Sequence, residues 1–164
     1  MERLLSLLLI SIMAFSFTGC AGYENTKEEK SQGQSKQEVV KEDNKESNVK
    51  MPKKEMGKGK IEISTAGGTS GGGKIPVEFI GKDAQISQIG LNSEEFDGAK
   101  LSYIFIDGKE VEKEQLGNTQ TAINLKGNAL KEGKHKVEVV QFDNDKTDGK
   151  IITYKTASYE SKLK

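Results

Sequence analysis

The sequence predicts an all-β fold, an antiparallel β-sandwich of about seven short strands over residues 60–164. Apolar residues alternate with polar ones in several short runs from Lys60 onward, which is the period of a half-buried strand. Turn-forming residues separate these runs, and the chain has 18 glycines and no tryptophan, which favours many turns over long helices. An open barrel built from the same strands is the alternative architecture.

The first strands are predicted on either side of a glycine-rich loop. Ile61 and Ile63 alternate with polar neighbours, and the same period returns in residues 75–79. Pro76 has no backbone N–H, so it belongs on an edge or at the start of a strand, which suits a strand at the margin of a sheet. The loop 67–73 lacks the spacing and the following helix of a phosphate-binding loop, so no phosphate site is expected there.

The next segment is predicted to be an irregular strand. Ile86 and Ile89 differ in parity, so residues 84–91 are expected to contain a bulge near Ser87. Residues 92–98 are mostly polar and are predicted to form a loop.

The most apolar run of the chain, LSYIFI, predicts a central strand over residues 100–106, buried on both faces. Asp107 and Gly108 follow directly. This dipeptide between β-forming residues is a strong hairpin signal, because both turn positions need positive φ. A short return arm is expected over 109–111, and residues 119–125 alternate as another half-buried strand.

The stretch from Leu130 to Val139 reads L-x-x-G-x-H-x-V-x-V. It resembles bacterial immunoglobulin-like and fibronectin-type domains, in which a leucine and a glycine turn precede a strand whose first inward residue is often tyrosine. His135 stands at the position of that tyrosine and is expected to be a structural corner residue. A last strand is predicted over 151–159. Without tryptophan or a cysteine pair, the core is expected to include Tyr103, Phe105, Ile123, Val137 and Val139.

Residues 1–19 predict a signal peptide, with a short basic start and an apolar run too short to cross a bilayer as a helix. The run ends in Phe17-Thr18-Gly19-Cys20, which resembles the bacterial lipobox, although that family usually has an aliphatic residue at the position of Phe17. The resemblance implies that the signal is removed and that Cys20 carries diacylglycerol and further acyl chains such as palmitate. Such multi-chain modification anchors a protein stably to the extracytoplasmic side of the cell membrane.

Two other interpretations of this end remain, a plain secretory signal with an unused thiol and a buried cysteine in a cytoplasmic protein. Cys20 is the only cysteine, so its lipidation excludes disulfides and cysteine-based catalytic or metal sites. Residues 20–59 interleave Lys and Glu with Ser, Gln and Asn, and their apolar surface is too small to offset the entropy of ordering. They are predicted to be a disordered linker.

Few residues suggest chemistry. His135 is the only histidine, which excludes a cluster of several histidines around a metal. Asp143, Asp145 and Asp148 in DNDKTDG are weak calcium candidates, but the glycine falls one place late for an EF-hand loop and Tyr154 stands where the bidentate Glu belongs. The expected structure is a solvated turn, and no cofactor is expected.

Lysine plus arginine and aspartate plus glutamate each number 25, so net charge gives no field that attracts nucleic acid. The sequence predicts a lipid-anchored surface protein whose non-catalytic domain recognises an envelope or extracellular protein partner. The alternative is an accessory or enzymatic subunit acting on a cell-wall or small-molecule substrate. Binding predicts an exposed apolar patch or a free strand edge, whereas catalysis predicts a polar cleft around His135 or Asp143.

Overall fold

The computed structural model describes residues 49–164 and contains two β-sheets packed face to face. The predicted all-β sandwich is therefore confirmed. The predicted signal peptide, Cys20 and most of the predicted linker lie outside the described residues. Within residues 49–164, no helix is long and apolar enough to cross a membrane.

Short 3₁₀ turns at Gly71–Gly73 and Gly127–Leu130 interrupt the strands of this part of the chain. In chain order, the strands are β1 Lys60–Thr65, β2 Gly68–Thr69, β3 Val77–Ile80, β4 Ser87–Glu94, β5 Leu101–Ile106, β6 Lys109–Gln115, β7 Thr119–Leu125, β8 Gly133–Phe142 and β9 Ile151–Leu163.

Strand order identifies the immunoglobulin-like arrangement. One sheet has the order β2-β1-β4-β7 and the other β3-β9-β8-β5-β6. All neighbouring strands are antiparallel except β3, which runs parallel to β9. Strands β1, β4 and β7 correspond to A, B and E of an immunoglobulin-like sandwich, and β9, β8, β5 and β6 correspond to G, F, C and C′.

The main core lies between the two sheets, where inward-facing residues of both meet. Ile63, Leu91 and Ile123 from the four-stranded sheet and Val137 and Val139 from the five-stranded sheet have no exposed surface. Burial of an aliphatic side chain of this size contributes roughly 1.5–3 kcal/mol relative to leaving it exposed. The period-2 pattern of the sequence therefore defines which side chains form this core.

A second apolar cluster lies on the outer face of the five-stranded sheet. Tyr103 and Phe105 alternate with Ile104 and Ile106, which belong to the main core, so the two pairs face opposite sides of β5. The expected burial of this strand on both faces is confirmed. The members of the outer cluster are Tyr103, Phe105, Val140, Phe142 and Tyr154. All five predicted core residues are buried, but Tyr103 and Phe105 belong to the outer cluster and Ile123, Val137 and Val139 to the main core.

Residues 49–56, named the strap, lie along the five-stranded sheet. Val49 and Met51 pack against the outer cluster. Met56 and Tyr154 exchange two backbone hydrogen bonds, each 3.0 Å long. Packing thus begins upstream of Lys60, where the alternating sequence pattern starts.

The predicted bulge near Ser87 was wrong. β4 pairs with β7 in continuous register from Ser87 to Ser93, and the exposed Ile86 lies just before the strand. The parity change therefore marks the strand's beginning. Register shifts occur instead in β5, between Ile104 and Phe105, and in β8 at Gln141.

Two strands are longer than predicted. β4 continues to Glu94, because β7 pairs with it as far as Ser93 and β1 pairs with it as far as Glu94, so the expected loop is shorter. β6 continues to Gln115 instead of ending near Val111. Among the strands of residues 49–164 it pairs with β5 alone, and it carries charged residues on much of its surface, so it shows no apolar alternation. The edge position predicted from Pro76 is confirmed, since β3 ends the five-stranded sheet.

Candidate functional site

The middle of β9 has an open edge. One side of β9 pairs with β8 along nearly its whole length. On the other side, Met56 bonds to Tyr154 and β3 pairs from Glu160 onward. Among residues 49–164, no strand pairs with residues 155–159 on that side. The sheet therefore has a gap between the strap and β3.

Backbone groups of β9 point into this gap. Successive residues of an antiparallel strand direct their N–H and C=O groups to opposite sides. The backbone groups of Tyr154 and the amide of Glu160 form hydrogen bonds on the gap side. Thr156 and Ser158 lie two residues apart from these along the strand, so their backbone groups point into the gap as well. The Thr156 amide already has an acceptor, because the Glu55 carboxylate lies 2.8 Å from it.

The gap forms one side of a groove, named the β9 groove, and β1 forms the other side. β1 pairs with β2 only at Ser64 and Thr65, so the edge at Ile61 faces the groove. Ile61 and Ala157 line it and pack against the main core. The turn Gly71–Gly73 and Glu55 of the strap also line it. This is a shaped site bounded by two strand edges.

The β9 groove is lined by more unpaired lysines than unpaired acids. Its lysines are Lys60, Lys74, Lys134, Lys136 and Lys155, and its acids are Glu55, Glu62, Glu94 and Asp107. Glu55 accepts hydrogen bonds from Thr156, and Asp107 accepts from His135 and from the Lys136 amide. Within residues 49–164, only Lys136 of the five lysines forms an ion pair.

An ionic network that joins the buried Glu138 and Tyr154 to the exposed Lys136 lies beside the groove. Glu138 is 5% exposed, and its Oε1 accepts hydrogen bonds from Lys136 Nζ at 2.7 Å and Tyr154 Oη at 2.5 Å. Burial lowers the pKa of Lys136, but its bonds to Glu138 and Tyr154 outweigh that effect and raise the pKa overall. Burial, followed by the bond to Glu138, raises the pKa of Tyr154. All three groups are engaged with one another, so the network fixes the sheet surface and offers no free general base.

His135 lies at the start of β8, inside the sandwich and 6% exposed. Its Nδ1 is 2.6 Å from Asp107 Oδ2, and its Nε2 is 2.8 Å from the Lys131 carbonyl. Both partners accept, so the two bonds form together only when both ring nitrogens carry hydrogen. The ring also stacks on Tyr159 at 5.0 Å. A corner role for His135 stays a prediction, and these contacts define how to test it.

The three aspartates of the β8–β9 turn do not converge. Asp143 accepts from the Lys150 amide, Asp145 from the Leu101 amide, and Asp148 from Asn144. In residues 49–164, no group of three or more His, Cys, Asp or Glu side chains is placed to hold a metal ion. The arrangement is that of a hydrogen-bonded turn.

Sequence reasoning missed the β9 groove and the network at Glu138. A single Glu among the valines of β8 was the available signal for the network, because a carboxylate in an apolar run needs a buried partner. The groove had no local signal, since Glu55 and Thr156 are 101 residues apart in the chain.

No protein-family model and no curated protein matches this chain. Among solved structures, a fibronectin(III)-like module of CbhA from Clostridium thermocellum is similar, with 13% sequence identity. The superposition covers 55% of this chain and 91% of that module, with a TM-score of 0.34. At this level of similarity, the immunoglobulin-like assignment rests on the strand order and pairing of the chain itself.

Proposed function

We propose that this chain is a membrane-anchored, non-catalytic interaction protein whose immunoglobulin-like domain binds an envelope or extracellular protein partner through the β9 groove. The open edge of β9 at residues 155–159 carries the proposal. Exposed strand edges offer backbone hydrogen bonds to another chain, and neighbouring side chains provide selectivity.

The charged groups near the groove support binding over catalysis. Glu138, Lys136 and Tyr154 are bonded to one another, and His135 is held by Asp107 and Lys131. A catalytic acid or base must lie within hydrogen-bond distance of a substrate proton. The hydrogen bonds of these groups are instead made to other groups of the domain.

The proposed anchor is the lipid on Cys20, on the extracytoplasmic side of the cell membrane. Cys20→Ser is expected to leave an unprocessed precursor that incorporates no labelled fatty acid, because the thiol is the acceptor for the lipid. Normal maturation and membrane retention of this variant would contradict the anchor.

Pull-down of the tagged full chain from crosslinked native cells tests the partner. We expect a reproducible protein that is lost when Lys134 and Lys155 are both changed to Glu and retained with Lys126→Glu, since Lys126 lies outside the groove. A partner unaffected by either change would place binding elsewhere. Turnover of a cell-wall or small-molecule substrate would favour the alternative enzymatic function.

A further inference from the structure

We infer that the β9 groove binds a short acidic segment of its partner in extended conformation, and that Glu55 of the strap is a built-in competitor for the same position. The inference rests on the proposed function and names the chemistry of the ligand. It follows from the contacts of Glu55, the length of the gap and the charges around it.

Glu55 shows which chemical group the open edge accepts. Its Oε1 receives hydrogen bonds from the Thr156 amide at 2.8 Å and from the Thr156 hydroxyl at 2.9 Å. Hydrogen bonds to a carboxylate are stronger than those between neutral groups. The edge thus holds a carboxylate already, supplied by the residue next to the Met56 bridge.

The length of the gap limits the ligand. Met56 and Pro76 each bond to β9, and between Tyr154 and Glu160 the strand rises by about 20 Å at roughly 3.4 Å per residue. A ligand chain therefore fits over about five residues before it must leave the plane of the sheet. A short segment fits this space, and a long added strand does not.

The charges around the groove favour an acidic segment. Lys60, Lys74, Lys134 and Lys155 make no ion pair within residues 49–164. The Glu62 carboxylate lies against the Gly71 turn, where a Cβ on that glycine would be 2.5 Å from Glu62 Oε2. A carboxylate-bearing chain that displaces Glu55 would therefore meet several lysines that have no ion pair within residues 49–164.

The position of Glu55 makes the strap a regulator of this site. Glu55 is exposed and forms the two hydrogen bonds to Thr156, so a ligand carboxylate at Thr156 must displace it. Val49 and Met51 hold the same segment on the outer cluster. Undocking of the strap would therefore free the Thr156 amide and strengthen ligand binding.

Fluorescence anisotropy of labelled hexaglutamate with the full-length protein in detergent micelles tests the inference. Hexalysine and an uncharged Gly-Ser hexapeptide are the comparison probes. Of the three probes, we expect only hexaglutamate to bind. Glu55→Ala should lower the Kd of hexaglutamate by about tenfold, the scale of one displaced charge-assisted hydrogen bond. Glu55→Gln should fall between the two, because an amide oxygen still accepts from Thr156 but carries no charge.

Lysine variants locate the binding. Lys134→Ala combined with Lys155→Ala should weaken hexaglutamate binding by about fivefold or more, because each partly exposed pair contributes modestly. Lys126→Ala is the matched control and should leave Kd unchanged.

Several results would overturn the inference. Two concern Glu55→Ala: no binding of hexaglutamate, or a Kd for hexaglutamate no lower than that of the wild type. The others are hexalysine binding as tightly as hexaglutamate, and an unchanged hexaglutamate Kd in the double lysine variant. If pull-down still recovers a groove-dependent partner that hexaglutamate does not displace, the proposed function stands and the acidic ligand is wrong. If no groove-dependent partner is recovered at all, the proposed function itself fails.

Discussion

Replacing His135 with phenylalanine should destabilise the domain by about 2 kcal/mol. The change keeps an aromatic ring over Tyr159 and removes both polar contacts of the imidazole. A hydrogen bond to a charged group is worth roughly 1.5–3 kcal/mol and one to a neutral group about 1 kcal/mol. The Asp107 side chain is 44% exposed, so solvent screening places its bond at or below the low end of that range.

Urea unfolding, monitored by fluorescence or circular dichroism, measures this loss in the free energy of unfolding. A loss of this size lowers the thermal midpoint by about 6–10 °C for a domain of this length. His135→Tyr is the matched comparison, and its hydroxyl should recover part of the loss by donating to the Lys131 carbonyl. Stability of His135→Phe within about 0.5 kcal/mol of wild type would refute the corner role, since lost bonds of this kind cannot be neutral at a buried position.

Three further predictions follow from packing and burial. Ile123→Ala should cost about 2–5 kcal/mol in urea unfolding, because Ile123 has no exposed surface and leaves a cavity between the sheets; a loss below about 1 kcal/mol would contradict the core. Burial, followed by the charges of Asp107 and Glu78, raises the pKa of Tyr159. The unfolded chain therefore releases this proton first, near pH 10, and stability falls as pH rises further, less steeply in Tyr159→Phe. Equal slopes in the two proteins would refute that assignment. Met51→Asp should loosen the strap and speed hydrogen exchange at the Tyr154 amide, and unchanged exchange would show that Met51 does not hold the strap.

The fold class could be predicted because its causes are local. The signals that indicated strands and turns each extend over a few residues. Examples are the period-2 alternation at Ile61 and Ile63 and the turn at Asp107-Gly108, both of which adopt positive φ. Pro76 could be placed at a sheet edge because it lacks an N–H. Each of these properties belongs to the residue itself, so no tertiary information was needed.

The errors arose where tertiary contacts decide the outcome. Tyr103 and Phe105 are apolar whichever layer covers them, so sequence alone could not separate the outer cluster from the main core. β6 carries mostly charged residues because it lies at an edge, so it lacks the alternation that reveals a strand. The β9 groove depends on where Met56 and β3 stop pairing, and this is fixed by packing between distant segments.

Site-specific photocrosslinking at Ser158 tests the central claim most directly. Ser158 lies in the open stretch of β9, and Gln120 on β7 is an exposed control position in the other sheet. A photoreactive residue is introduced at each position in the full chain in its native cells. We predict one reproducible protein adduct from Ser158 that is absent from Gln120. No adduct from Ser158, or the same adducts from both positions, would contradict binding through the β9 groove.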